Sequence, residues 1–154
     1  MFIKRALTFE PGKYRLVSAL PPAPIPQALA APNLAPGAPV VNEPAQLPNA
    51  VFRINALLDL DVCTIHPQPT SQPPQTALTV HEPRPGAQVV LAPSDPLSLS
   101  QQWIFLQDSP NSYYIQFAEV ELALTAGSIG SSITVYPLQP GNPAQRWRLE
   151  KIAE

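Results

Sequence analysis

Tyr136 and Asn142 stand six residues apart near the end of the chain, and they are equipped for recognition, not bond breaking. A tyrosine ring offers an apolar face with a polar tip, and an asparagine amide offers donors and an acceptor. Side chains suited to catalysis are sparse. The histidines are His66 and His81, the single thiol is Cys63, and the carboxylates scattered near them are Asp59, Asp61 and Glu82. Cys63 and His66 lie three apart on one expected strand, so they face opposite ways and form no local nucleophile–base pair. Cys63, within the apolar run Val62-Cys63-Thr64-Ile65, reads as a buried inert thiol. The sequence has no His-x-x-x-His spacing for a metal, no glycine-rich phosphate loop and no Gly-x-Ser-x-Gly elbow. The expectation is a non-enzymatic binding protein with no catalytic residues, metal or cofactor.

Bulk composition narrows the partners. The 154 residues suit one domain, expected to span 1–154. A formal net charge of −2 with 13% charged residues leaves no basic field for nucleic acid or a membrane surface. Hydrophobic residues make up 45%, enough for a core. There is no run of about 18 apolar residues to cross a bilayer as a helix. The apolar stretch near Met1-Phe2-Ile3-Lys4-Arg5 is too short for a secretory signal. A cytoplasmic protein is therefore expected, unless it leaves by an unconventional route.

The elements that must hold Tyr136 and Asn142 are strands. Short β-branched and aromatic runs alternate with proline-rich turns, and long runs with helical spacing are missing. Strands are expected at 13–20, 50–57, 61–66, 77–81, 88–92, 101–107, 113–117, 120–125, 132–137 and 146–152. Three segments end alike: Ala50-Val51-Phe52-Arg53-Ile54, Gln101-Gln102-Trp103-Ile104-Phe105 and Gln145-Arg146-Trp147-Arg148-Leu149. Each places an aromatic two residues before another large apolar side chain, so both face one core. The aromatics are 51 and 44 residues apart (52 to 103 to 147), as expected of related units with unequal loops. The units also open alike, with Lys13-Tyr14-Arg15-Leu16, Val62-Cys63-Thr64-Ile65 and Tyr113-Tyr114-Ile115-Gln116. The chain carries 22 prolines against 6 glycines. They concentrate between Pro21 and Pro48, read as one stiff surface loop, with a second loop from Pro67 to Pro74.

Asn142-Pro143-Ala144-Gln145-Arg146-Trp147 matches Asn-x-x-Gln-x-Trp, the pattern that closes a repeat in ricin-B-type lectins, and Gln101-Gln102-Trp103 repeats its core. The chain resembles that family from Pro11 to Ile152, and in particular its small fungal lectins. The resemblance implies an all-β fold, a β-trefoil of three pseudo-repeats forming a six-stranded barrel capped by hairpins. The repeats would run roughly over 11–58, 59–109 and 110–154. The third fits the pattern best, and the first has Ala50 and Phe52 in place of Gln and Trp. By the same resemblance the protein is a glycan-binding lectin. Tyr136 would stack on the sugar, Asn142 would bond a hydroxyl, and Gln145 would complete the site by bracing its loop. Gln101, Trp103, Trp147 and Phe52 would be architecture. The family's Asp is absent, since Leu122-Ala123-Leu124 stands where Leu-Asp-Val would; that loss costs about 1–3 kcal/mol of binding. Glu119 or Glu121 would have to compensate. In the second repeat Ser98 stands for the Asn and Val90 or Leu91 for the aromatic.

A second resemblance is to the mycocypins, mushroom β-trefoils that block cysteine proteases with loops. It rests on Phe9-Glu10-Pro11-Gly12-Lys13-Tyr14-Arg15-Leu16, on Pro39-Val40-Val41-Asn42-Glu43-Pro44 and on the chain length. It implies a protease as the alternative partner, engaged by the proline-rich loops between Leu20 and Ala50. Arg84, between Pro83 and Pro85, is a poor specificity residue for a serine protease, because the proline after it resists cleavage. The sugar, the protease and the oligomeric state are not legible at this level.

Overall fold

Apolar side chains at every second position define the barrel. The computed structural model describes residues 10–20, 26–57, 62–68 and 75–153, so Asp59, Asp61 and residues 1–9, 21–25 and 69–74 lie outside the described residues. Six barrel strands are β1 (Gly12–Ser18), β4 (Phe52–Ala56), β5 (Cys63–Pro67), β8 (Trp103–Ser109), β9 (Ser112–Phe117) and β12 (Trp147–Lys151). They pair antiparallel in a closed ring, β1 to β4 to β5 to β8 to β9 to β12 and back to β1. Closure removes the free edges that would otherwise invite further pairing. Three hairpins cap the barrel: β2 (Gln27–Ala30) with β3 (Val41–Pro44), β6 (Thr76–Thr79) with β7 (Val90–Pro93), and β10 (Leu122–Thr125) with β11 (Thr134–Pro137). The described residues contain no α-helix, only short 3-10 turns at Pro48–Ala50, Leu99–Gln101 and Pro143–Gln145. This is the β-trefoil architecture.

Register fixes which residues are equivalent. Tyr14 pairs with Phe52, Cys63 with Trp103 and Tyr113 with Trp147. Phe52, Trp103 and Trp147 are thus one position in three copies, and all three are fully buried. Leu16, Ile65 and Ile115 follow two residues after Tyr14, Cys63 and Tyr113 and are also fully buried. The third unit therefore opens at Ser112-Tyr113-Tyr114-Ile115, one residue earlier than its sequence suggests. The slip matters, because one residue turns every side chain to the opposite face. Trp103 meets Phe117 edge-on at 5.5 Å between ring centres, a favourable arrangement of aromatic quadrupoles.

The stretch from Pro21 to Pro48 is not one loop, since it contains the hairpin β2–β3. Its one proline within a described strand, Pro44, sits at a strand end. Pro44, Pro93 and Pro137 are the last residues of β3, β7 and β11, so they punctuate the caps without breaking their ladders.

The caps meet on the pseudo-three-fold axis in a ring of main-chain hydrogen bonds. Val40 N–H donates to the Val89 carbonyl (3.0 Å), Val89 N–H to Ile133 (2.9 Å), and Ile133 N–H to Val40 (2.8 Å). All three residues are fully buried, so each bond satisfies groups that water cannot reach. Three residues before each stands a glycine, Gly37, Gly86 and Gly130, with φ of +89°, +88° and +86°. That left-handed turn aims the chain at the axis, and side chains with a Cβ adopt it at a cost.

Candidate functional site

The site grows from the turn that leads into β12. Trp147 is fully buried and its indole N–H donates to the Leu124 carbonyl at 3.2 Å. Trp103 does the same to the equivalent Leu78 carbonyl, also at 3.2 Å. Two residues before each tryptophan, a buried glutamine ties down the preceding loop. Gln145 accepts from Gln139 N–H at 2.8 Å and donates to the Pro137 carbonyl at 3.1 Å. It also donates to Tyr136 O at 3.3 Å and Thr125 Oγ1 at 3.2 Å. Gln101 repeats the scheme with Asp95 N–H and the Pro93 carbonyl, both at 2.8 Å. In the first repeat the chain from Pro44 to Ala50 is two residues shorter than from Pro93 to Gln101 or Pro137 to Gln145. The loop that a glutamine would bridge is missing, and Ala50 suffices.

This geometry gives Gln145 a bracing role and no direct one. At 1% exposure, with both ends of its amide engaged inside the protein, it braces Tyr136 and does not face a ligand. Asn142 is half-buried and caps the 3-10 turn, its Oδ1 accepting from Ala144 N–H at 3.0 Å while Nδ2 donates to Gln139 Oε1 at 3.4 Å. One Nδ2 hydrogen and a second Oδ1 lone pair are left to offer. The same loop is held from the side by Tyr114, whose hydroxyl accepts from Gly141 N–H at 2.8 Å. Tyr136 ends up exposed, directly across the β10–β11 ladder from Ala123. Ala123 is itself fully buried, as are its counterparts Ala28 and Ala77, so an acid at the family's Asp position is missing from all three repeats. Glu119 and Glu121 are exposed in the bend before β10.

Register also identifies the counterparts of Tyr136 as Glu43 and Ala92, not Val90 or Leu91, because Pro44, Pro93 and Pro137 share one ladder position. Ser98 does stand at the Asn142 position, where it begins a 3-10 turn without a side-chain cap. The ricin-like pair of aromatic and amide thus occurs once, in the third repeat. One neighbour escaped the sequence reading. A methyl group added at Gly86 would lie 3.4 Å from the Tyr136 hydroxyl, so the ring tip reaches across to the cap of the second repeat. The signal was present in the glycine spacing, since Pro36-Gly37-Ala38-Pro39-Val40-Val41 and Pro85-Gly86-Ala87-Gln88-Val89-Val90 are near-copies.

Cys63 and His66 are spent on structure. Cys63 is buried, and burial pushes its thiol up to about 12, far from a thiolate at neutral pH. His66 is 3% exposed, with Nδ1 2.9 Å from the Thr76 carbonyl and Nε2 2.8 Å from Thr64 Oγ1. Those partners assign the proton to Nδ1, leaving Nε2 to accept the threonine hydroxyl. Burial lowers its pKa below the usual value; the Thr76 bond opposes the shift and the Arg53 charge adds to it. Unfolded, His66 takes its second proton near pH 6.5; folded, only at lower pH. Its contribution is complete above that value and is lost as pH falls toward the folded pKa, with a slope of at most about 1.4 kcal/mol per pH unit. Urea unfolding of wild type and His66→Gln between pH 7.5 and 5.5 is expected to show a steeper acid loss in the wild type. Equal slopes would rule this account out. Among the described residues no three His, Cys, Asp or Glu side chains converge as a metal site.

No protein family and no curated sequence matches this chain. Solved structures do. It is similar to ThreeFoil, a designed three-fold symmetric protein, with a TM-score of 0.76 and 23% identity over 92% of this chain and 99% of that one. The Rhizoctonia solani agglutinin superposes with a TM-score of 0.73 at 12% identity, covering 95% of this chain and 99% of the agglutinin. The BEL β-trefoil gives 0.68 at 16% identity, over 94% and 95%. At these identities the likeness is one of fold.

Proposed function

We propose that the protein binds carbohydrate without catalysing a reaction, through the surface of the third repeat around Tyr136. The observation that carries this is the placement of that ring. Tyr136 is 45% exposed, whereas every other aromatic among the described residues is at most 5% exposed. A fold that buries its aromatics so thoroughly leaves this one on a rigid strand, its carbonyl held by Gln145. An exposed, pre-positioned ring is what stacking on a sugar's C–H face requires, at little entropic cost. Asn142 adds a donor beside it, and the likeness to an agglutinin is in keeping with this use of the fold.

A glycan array probed with wild type, Tyr136→Ala and Tyr136→Phe tests the reading. Binding by the wild type, retained by phenylalanine and reduced at least about tenfold by alanine, is the expected result. Silence from folded wild-type protein would end it.

The protease-inhibitor alternative draws support from one feature. Residues 32–37, Pro-Asn-Leu-Ala-Pro-Gly, are all exposed at the tip of the β2–β3 hairpin, stiffened by Ala35 N–H to Asn33 Oδ1 at 2.9 Å. Within Pro39–Pro44, Val40 and Asn42 are fully buried, so the exposed tip carries this reading. Inhibition of a papain-type protease that vanishes when 32–37 is replaced by a short glycine turn would favour this alternative.

A further inference from the structure

We infer that the Tyr136 face continues into a second subsite, which takes the next units of a neutral, hydroxyl-rich oligosaccharide. This rests on the carbohydrate reading above. A groove of about 480 Å3 runs along the tip of the second-repeat hairpin, lined by His81, Glu82, Arg84, Gly86 and Gln88 among others. Its size falls within the range of small-ligand sites. Tyr136 adjoins it through Gly86, one of the lining residues, where an added Cβ would lie 3.4 Å from the tyrosine hydroxyl. The cap of the third repeat borders the groove as well, with Gln88 Nε2 3.4 Å from Ser132 Oγ.

Three polar side chains of this groove are unspent. Among the described residues, the side chains of His81, Glu82 and Arg84 make no hydrogen bond or ion pair, and all three are exposed. Glu82 only accepts and Arg84 only donates, while His81 and Gln88 do both. Sugar hydroxyls both donate and accept, so neighbouring hydroxyls can give a hydrogen to Glu82 and receive one from Arg84. A carboxylate or phosphate ligand would use Arg84 but would face the Glu82 charge. That balance selects neutral sugars. Continuity with Tyr136 selects a chain of at least two units, since one ring stacked on the tyrosine leaves the far end of the groove unfilled.

The test is titration of arrayed and soluble neutral mono-, di- and trisaccharides with wild type, Tyr136→Ala, Glu82→Gln and Arg84→Gln. All three side chains are exposed, and thermal melts check that the fold is kept. Glu82→Gln and Arg84→Gln should each weaken di- and trisaccharide binding about tenfold while leaving monosaccharide binding unchanged. Tyr136→Ala should weaken both. Oligosaccharide binding unchanged in Glu82→Gln and Arg84→Gln, with Tyr136→Ala impaired, would overturn the second subsite and leave the first. Equal loss for mono- and oligosaccharides would overturn it too, placing these residues in the primary site. No glycan binding by the wild type would remove both readings together.

Discussion

Replacing Trp103 by alanine is expected to lower stability by about 4 kcal/mol, which for a domain of this size moves the melting midpoint by roughly 10 °C. The indole is fully buried, its ring meets Phe117 edge-on, and its N–H satisfies the Leu78 carbonyl. Alanine removes all three contributions and leaves a cavity that a closed barrel relaxes into only partly. Trp103→Phe should cost far less, about 1–2 kcal/mol, because the fold already tolerates that chemistry at Phe52 in the equivalent place. Urea denaturation of the two variants decides the matter. A phenylalanine as damaging as alanine would mean that the three positions are not interchangeable in energy despite their shared register.

Gln145→Ala is expected to cost about 2–4 kcal/mol and, separately, to weaken glycan binding without ever touching a ligand. The substitution strands Gln139 N–H and withdraws a donor from the Tyr136 and Pro137 carbonyls, and polar groups left unpaired in the interior are expensive. The loop from Pro137 to Asn142 then loses its inner tie, and Tyr136 loses the restraint that holds it ready. Gln101→Ala provides the contrast. It breaks the same pair of bonds in the second repeat, where Ala92 stands for the tyrosine. Denaturation and array binding of both variants should show comparable destabilisation with a binding defect only in Gln145→Ala. A binding defect in both would point to general loosening of the fold instead.

Much of the architecture was legible because it depends on residue types that only the core explains. The spacing of Phe52, Trp103 and Trp147 predicts three units, and the barrel realises it. The hairpin β2–β3 was not legible, because the proline content of 21–48 reads as loop when the prolines are counted rather than placed. Pro44 ends a strand whose N–H was surplus, and Ala28, Leu29 and Ala30 are too small and too few to announce their partner strand. The clearest overlooked signal was glycine. Three of the chain's six glycines stand at equivalent turns, and Gly37, Gly86 and Gly130 would have aligned the one cap that the strand pattern missed with the other two.

The site was legible in its parts but not in its arrangement. Tyr136 and Asn142 were visible as suitable chemistry, and the structure leaves Tyr136 on the surface. Gln145 was legible as a brace, but the groups it ties, Gln139 N–H and the Tyr136 and Pro137 carbonyls, were not. Nor could the sequence place Tyr136 beside Gly86, fifty residues away, since contact across two repeats depends on how the caps meet at the axis.

The hydrogen-bonded ring of Val40, Val89 and Ile133 has a bearing on numbers. Each repeat gives one hydrogen and takes one, always from a different neighbour and always in the same rotational sense. Such a circuit has no terminus, so it cannot be shortened by a member without stranding a donor and an acceptor in the dry interior, nor lengthened without a wider axis. A lone repeat cut from this chain would carry both loose ends at once, and it could satisfy them only by gathering two more copies of itself. Three is therefore a count enforced by the main chain, and the side chains around it were free to diverge.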